Sequence, residues 1–292
     1  MGTDSPPTAA YAPGSAWGGP DASAPAFTEP ASSGPAQASG RGAGPDEASG
    51  FAAYASSARA ERTLRAIGPE GVERLSRATV AVFGLGGVGS SCAEALARAG
   101  VGTLVLVDRD AVEESNINRQ AIAFYSTIGC RKAEVMAAMV RDISPATRVV
   151  AHDAFVTEER VAEFLDASVD YVVDAVDTVT TKLALAAHAE CCGATYVGSM
   201  GAANKRHPEA LRFADIYDTQ TCPLCRAVRK QARKRGIGRM RVLYSSEQPI
   251  PVAAAPGAAR RERTELGTLP FMPPIMGQMI AGDVIKAIVG IR

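Results

Sequence analysis

The sequence predicts an α/β fold built on a doubly wound, mostly parallel sheet. Three observations carry this reading. Short apolar, β-branched runs alternate with helix-spaced segments from residue 77 to about residue 201. The first run breaks into a glycine loop, "GLGGVG" at 84–89. The first two runs and the segment between them make a unit of about 30 residues, the length a right-handed parallel crossover requires.

The elements follow in order. "RATVAVFG" (77–84) is apolar, β-branched and bounded by glycine, so it reads as a buried strand. "SSCAEALARAG" (90–100) has helical spacing and stops at Gly100. "GTLVLVDRD" (102–110) is a second buried strand. "CRKAEVMAAMVRDIS" (130–144) is a second helix, which Pro145 prevents from continuing. "TRVVAHDA" (147–154) is a third strand. "TEERVAEFL" (157–165) opens on a threonine cap and two acids, as helix starts do. "VDYVVDAVD" (169–177), "VTTKLALAAHAECCG" (179–193) and "ATYVGSMG" (194–201) then read as strand, helix and strand. Beyond residue 215 the pattern loosens into a basic helix (222–236), an exposed loop (253–265) and a final amphipathic helix (273–289).

Residues 1–55 differ from all of this. Ala, Gly, Pro and Ser dominate them, and no apolar periodicity appears. Such a stretch cannot bury enough apolar surface to offset its ordering entropy, so a disordered tail is expected. It has no basic start followed by an apolar core, which argues against a secretory signal. Residues 56–292 are expected to form the catalytic domain. Six cysteines, two of them adjacent (Cys191 and Cys192), do not resemble a secreted disulfide framework, so the cytoplasm is the expected location. With 31 basic and 31 acidic residues, nucleic-acid binding would need a local patch. Asp283 and Lys286 interrupt the apolar 271–289 segment, which favours a core or dimer helix over membrane insertion.

Gly84, Gly86 and Gly89 fit G-x-G-x-x-G, with Gly87 as an extra glycine. The first permits a tight turn, the second lets backbone approach phosphate, and the third lets helix and strand pack closely. Asp108 lies at the end of the second strand, where a ribose hydroxyl can be gripped. Taken alone, this is compatible with a nicotinamide cofactor. The residues that follow point elsewhere. "DRDAVEESNINRQ" (108–120) adds Asp110, Asn116, Asn118, Arg119 and Gln120; Lys132 opens a helix; "DAVDT" (174–178) ends the fourth strand with two carboxylates. Ligands of open parallel sheets bind outside the carboxyl ends of the strands, so these residues are expected to face one crevice. A hydride site has no need of such a cluster, whereas a triphosphate site has. Arg119 and Lys132 can clamp phosphate oxygens. Asp177 can hold Mg²⁺, which favours one or two carboxylates plus phosphate oxygens. The plainer alternative is that these polar side chains cap loops and pair with one another.

The stretches "GLGGVGS", "VDRDAVEESNINRQ", "GCRKAEV" and "DAVDT" resemble the ThiF/MoeB/E1-like superfamily of ATP-dependent adenylating enzymes. The resemblance implies a Rossmann-like ThiF fold with ATP and Mg²⁺ as cofactors. It implies ATP or metal roles for Gly86, Gly87, Asp108, Arg119, Lys132 and Asp177. "ERTLRAIGPEGVERL" (61–75) resembles the superfamily's N-terminal helix, and Arg62 would then reach the ATP of a partner subunit in a homodimer. The second half resembles the tRNA threonylcarbamoyladenosine dehydratases, in "GSMGAANK" (198–205), "FADIYDTQTCPLCRAVRKQARKRGI" (213–237), "VLYSSEQPIPV" (242–252) and "GTLPFMPPIMGQMIAGDVIKAI" (267–288). The implied activity is ATP-dependent dehydration, a cyclisation, of N6-threonylcarbamoyladenosine at position 37 of tRNA. In "KRHPE" the chain departs from that pattern, which carries an acid before Pro208.

Other signals remain. The stretch 226–241 holds eight cations and no acid, and Arg226, Arg229, Lys230, Arg233, Lys234 and Arg235 are the expected tRNA-backbone contacts, on a helix at about 222–241. Tyr217 and Tyr244 are candidates either for base stacking or for the core. Cys222 and Cys225 form one C-x-x-C; the structural zinc site of the sulfur-carrier enzymes that the chain resembles uses two such pairs and the second is missing here, so a sulfur-transfer or redox partner, or an ordinary pair, is favoured over zinc. His152, His188 and His207 show no ligand spacing. Two rival functions stay open at this point. One is adenylation of the C-terminal glycine of a ubiquitin-like sulfur carrier, and the other is a non-catalytic scaffold that binds RNA or a partner.

Overall fold

The computed structural model describes Tyr54, residues 57–248 and residues 267–291. The tail expected over 1–55, Tyr54 apart, and the loop expected over 253–265 lie outside the described residues.

Helix α1 (Glu61–Arg77) leads into the sheet; it kinks at Gly68, whose φ is 71°, just before Pro69. Strand β1 (Thr79–Phe83) is followed by α2 (Gly87–Ala99), β2 (Thr103–Asp108), α3 (Lys132–Ile143) and β3 (Arg148–Asp153). Then come β4 (Tyr171–Asp174), α4 (Val179–Cys192), β5 (Thr195–Ser199), β6 (Leu211–Asp215), α5 (Pro223–Arg235), β7 (Arg241–Ser245) and α6 (Met272–Val289). The seven strands form one sheet in the order β3-β2-β1-β4-β5-β7-β6, parallel except for the β6–β7 pair.

Alternate residues of each strand feed opposite cores. Val80, Val82, Leu104 and Leu106 face one side, beneath Leu96 of α2, Met136 of α3 and Ile280 of α6. Ala81, Phe83, Val105 and Val107 face the other, with Leu183 and Leu185 of α4 and Val228 of α5. Both faces are covered, which is why the strands read as continuous apolar runs. Helix α6 belongs to the first core: Met272, Met276, Ile280 and Ala281 are fully buried. Among the described residues, no helix is long and apolar enough to cross a membrane.

Two expectations are corrected. The helix expected over 157–165 is turns and a single 3-10 turn, Val161–Glu163. So short a segment has no helical stability of its own, and its apolar residues Val161, Phe164 and Leu165 enter the core from turns instead. The region beyond 215 is better ordered than its sequence suggests, since β6 and β7 extend the five expected strands to seven. The edge strand β6 exposes one side and lacks the continuous apolar run of the buried strands. Its place is set by antiparallel pairing of Leu211–Asp215 with Arg241–Ser245.

Candidate nucleotide-activating site

Parallel strands β1 and β4 are neighbours whose chains leave toward opposite sides, which opens a crevice at their carboxyl ends. A cleft of about 340 Å³ lies there, lined by the segments that follow β1, β2, β3 and β4. The glycine loop is its floor. Gly84 has φ of 82°, and a Cβ on it would sit 2.8 Å from the carbonyl oxygen of Ala175. A Cβ at Gly89 would overlap the carbonyl oxygen of Gly84 itself. These two positions let α2 start directly against the end of β4. Gly86 is different: a Cβ there would meet nothing nearer than 4.0 Å, so its bareness leaves open space on the cleft side. Gly87 also lines the cleft.

Asp108 ties the loop down. Its carboxylate accepts from the backbone N–H of Leu85 (2.6 Å) and of Asp110 (2.8 Å). Asp110 pairs with Lys132 at 3.3 Å. The lysine side chain is only 8% exposed and the carboxylate 56%, so the ammonium projects from the wall of the cleft under a solvent-facing partner. Lys132 is held there at the start of α3 by its own N–H, which donates to the Asp110 carbonyl (2.9 Å), and by its neighbour Arg131, which pairs with Asp153 at the end of β3. Arg119 donates to the Ser115 carbonyl (2.9 Å) and the Asn118 side chain (2.7 Å). Among the described residues it makes no ion pair within 4.0 Å, so its charge stays unneutralised beside the glycine loop. Asp177 is exposed at the opposite lip and accepts from the Thr178 hydroxyl (3.2 Å).

The structure therefore brings Arg119, Lys132, Asp177, Asp108, Asp110 and the glycines Gly84, Gly86 and Gly87 to one cleft. Three expectations change. Asn116 does not line the cleft; it is buried, and its side-chain oxygen accepts from the Glu113 N–H (3.2 Å) to close the loop that carries Arg119. Asn118 does not line the cleft either; its side-chain amide donates to the Thr268 carbonyl (3.1 Å), while Arg62, expected at a partner's ATP, is exposed on α1. Of the two carboxylates in "DAVDT", only Asp177 faces the cleft.

Asp174 is fully buried in a charged network that sequence reading missed. Its carboxylate accepts from Lys182 (3.1 Å), from Tyr196 (2.5 Å) and from the N–H of Val176 (3.1 Å). Lys182, 0% exposed, also donates to the Ser199 carbonyl at 2.7 Å. Burial, reinforced by the nearby Asp174 charge, pushes the Tyr196 phenol well above its usual range, so it stays a donor. The network clamps the ends of β4 and β5 and fixes the turn that presents Asp177. The available signal was a single lysine in the first turn of α4, directly before the apolar run 183–187. Two more cleft residues, Phe155 and Arg109, were not singled out, whereas Gln120 lines the cleft as expected. Phe155 is 44% exposed, and the Arg109 guanidinium stacks over one face of its ring, 4.2 Å from the centroid. Gln120 has a buried side-chain oxygen without a hydrogen-bond partner.

The basic segment is less uniform than its sequence suggests, because other elements supply acids. Arg235 pairs with Glu158 (2.8 Å), Arg239 with Asp215 (3.6 Å) and Arg241 with Asp283. Arg229 donates to Thr219 and to the Ile216 carbonyl, and Arg233 lies over the Tyr217 ring. Arg226, Lys230 and Lys234 remain exposed, spaced four residues apart along one face of α5, with no ion pair among the described residues. Tyr244 is buried and Tyr217 is covered by Arg233, so neither is a free stacking platform. At the departure before Pro208, Glu247 supplies the negative charge instead: its carboxylate accepts from the N–H of Arg206 (3.0 Å) and of His207 (3.2 Å).

The ThiF family matches this chain over residues 58–292. The chain belongs to the ThiF family. One ThiF-type relative, the tRNA threonylcarbamoyladenosine dehydratase of Bacillus subtilis (strain 168), is 41% identical over 229 residues, covering 75% of this chain and 90% of that protein. Among solved structures, an E. coli tRNA N6-threonylcarbamoyladenosine dehydratase in complex with ATP superposes with a TM-score of 0.72 at 31% identity, covering 80% of this chain and 94% of the other. The same enzyme in complex with AMP matches at 0.72 and 30% identity, over 79% and 93%. The mostly parallel sheet seen here is thus the ThiF architecture.

Cutting the buried pair tests the network. Lys182→Met leaves the Asp174 carboxylate buried without its cation and is expected to cost about 3–5 kcal/mol of stability. Denaturant unfolding checks this, and a loss below about 1 kcal/mol, the range of an exposed pair, would contradict the clamp.

Proposed function

We propose that this ThiF-family chain catalyses the ATP-dependent dehydration of N6-threonylcarbamoyladenosine in tRNA. The observation that carries the reading is the convergence of Arg119, Lys132 and Asp177 on one glycine-floored cleft. The cleft suits a nucleotide triphosphate on its own features. Open backbone at Gly86 and the unpartnered side-chain oxygen of Gln120 suit polar contacts to such a ligand, and Phe155 with Arg109 offers an apolar and cationic wall. The relatives' names and the complexes with ATP and AMP support the same assignment.

The chemistry follows from the substrate. A free threonyl carboxylate is a poor electrophile, and transfer of a phosphate-bearing group to one of its oxygens makes that oxygen a leaving group. Arg119, as a planar fork, and Lys132, as a point charge, would hold the phosphates and stabilise the charge that builds on them, a contribution of several kcal/mol. Asp177 is the residue that would hold Mg²⁺, which supplies further neutralisation of phosphate charge. The neighbouring carbamoyl group then attacks within the same molecule, a ring closes, and the net loss is one water. Holding the two groups together provides much of the rate, so no protein nucleophile is needed. Asp108 serves twice, pinning the glycine loop and offering its remaining lone pairs to a ribose. Adenylation and phosphorylation of the carboxylate both fit; AMP with pyrophosphate as products marks the first, ADP the second.

The sulfur-carrier reading is less well supported, since Cys222 and Cys225 are the sequence's single C-x-x-C pair. We infer a homodimer in which Arg62 completes the partner's site, and a cytoplasmic enzyme whose tRNA rests on the Arg226, Lys230 and Lys234 stripe.

Three experiments test these points. With modified tRNA, ATP and Mg²⁺, nucleoside mass spectrometry is expected to show loss of one water by the wild type. For Asp177→Ala, a fall of at least about 10²-fold with an unchanged melting temperature is expected; full activity in that variant would sink the assignment. Replacing Arg226, Lys230 and Lys234 together by Ala is expected to weaken tRNA binding and lower the salt slope by about two units. An unchanged slope would place the tRNA elsewhere. Mixing Arg62→Ala and Asp177→Ala proteins is expected to restore about a quarter of wild-type turnover, because half of the dimers regain one complete site. No restoration would exclude the shared site.

A further inference from the structure

The C-x-x-C pair plays no part in the cleft; both cysteines are buried in the second core, at the start of α5. Cys222 is the N-cap of α5 and Pro223 its first residue; Cys225 lies on the first turn. Residues so spaced on a helical turn bring their α-carbons to roughly 5–6 Å, within the range a disulfide spans. The approach to the helix is tight. The Cys222 N–H donates to the Gln220 carbonyl at 2.6 Å, across Thr221, a non-glycine residue with φ of 60°. Backbone of that kind is costly and persists where surroundings impose it. Here the Thr221 hydroxyl is tied to the Ser246 carbonyl (3.1 Å), and Arg229 braces Thr219. The two cysteines are free thiols, 5% and 1% exposed.

We propose that Cys222 and Cys225 form a peroxide-oxidisable dithiol, with Cys222 as the attacking sulfur and Cys225 as the resolving one. The electrostatics divide the roles. The hydrogen bond from the Cys225 thiol holds Cys222 down to about 6 despite burial, helped by the N–H groups of Cys225 and Leu224 and by the Lys205 charge. The same hydrogen bond, with burial, pushes Cys225 far up and outweighs the opposing effects of Thr219 and Arg229. The shared hydrogen bond thus favours the thiolate on Cys222 and the protonated thiol on Cys225. A small oxidant suits a sulfur with so little exposed surface. Metal binding is a poor competitor, since no group of three His, Cys, Asp or Glu ligands exists among the described residues.

The balance closes in two steps. The Cys222 thiolate attacks one oxygen of hydrogen peroxide; the O–O bond breaks and the leaving hydroxide takes a proton to become water, giving a sulfenic acid. The Cys225 sulfur then attacks Cys222; the S–O bond breaks, and hydroxide leaves with the Cys225 proton as a second water. Two thiols lose two electrons and two hydrogens, and the peroxide is reduced to two waters. A dithiol reductant reverses the bond by exchange. The site is placed to be felt in the cleft. A Cβ on Gly201 would lie 3.8 Å from Leu224, between the cysteines; Asn204 of the same loop bonds Gly267, and Asn118, beside Arg119, donates to the Thr268 carbonyl.

The test uses the full chain, reduced, treated with hydrogen peroxide, alkylated and digested with trypsin. Peptide 213–226 carries Cys222 and Cys225 and no other cysteine. It is expected to escape alkylation, to weigh two hydrogens less than the dithiol, and to return to the dithiol with dithiothreitol. Cys225→Ser is expected to accumulate a sulfenic acid at Cys222 that dimedone traps; in the wild type the peroxide rate is expected to rise with pH through a midpoint near 6. The proposal falls if both cysteines remain alkylatable at a peroxide dose that oxidises exposed Cys130 and Cys191. It falls equally if the rate rises only near the ordinary thiol pKa. The wild-type arm decides the matter even if a variant fails to fold, and it does not depend on the tRNA activity.

Discussion

The carbonyl oxygen of Gly84 occupies the space where a side chain at position 89 would stand, and the carbonyl of Ala175 does the same for position 84. This double close approach lets the first turn of α2 press against the end of β4, and every other feature of the cleft is measured from it. Asp108 reaches the loop from β2 only because the loop lies flat there. Arg119 and Lys132 come from segments that connect β2 to α3, and they converge because β2 is the neighbour of β1. A bulkier loop would lift the helix start away from the crevice and with it the free N–H groups that make such a terminus attractive to anions.

Behind this floor sits a second constraint of a different kind. Lys182, Asp174 and Tyr196 are buried charge and hydroxyl where apolar packing would serve stability as well or better. What the network provides is direction: it joins the ends of β4 and β5 and orients the turn that carries Asp177. Arg119, by contrast, keeps its charge unneutralised, held only by a carbonyl and an amide. The molecule so separates charge that positions backbone from charge that is left available to a ligand. The same division recurs on α5, where Arg229 braces a turn while Arg226, Lys230 and Lys234 stay at the surface.

Much of the architecture was legible because its cause is local. β-branched runs covered on both faces, helix stops at glycine and a glycine loop at a strand end are patterns within a few residues of one another. The 157–165 segment shows the limit of local signals: its cap and acids are good helix signals, but so short a segment has no helical stability of its own and its apolar residues are buried from turns. The edge strand β6 failed because half its surface is open, so its sequence lacks a buried strand's signature. Within the site, Asp108, Asp110, Arg119, Lys132 and Asp177 could be read from their places after strand ends. Asp174 could not be told from Asp177, since both sit in one five-residue stretch and only the facing strand decides which is buried.

The sequence alone determined the fold class, the glycine loop and two of the cleft cations, Arg119 and Lys132, because these follow from short-range pattern and from the rule that parallel sheets bind ligands at their carboxyl ends. Only the tertiary structure decided which charges are spent internally. Lys182 finds Asp174, Arg235 finds Glu158, and Arg241 finds Asp283 across separations that no local pattern encodes. Burial and pairing depend on what lies opposite in space, and that is known only once the sheet order has placed the partners.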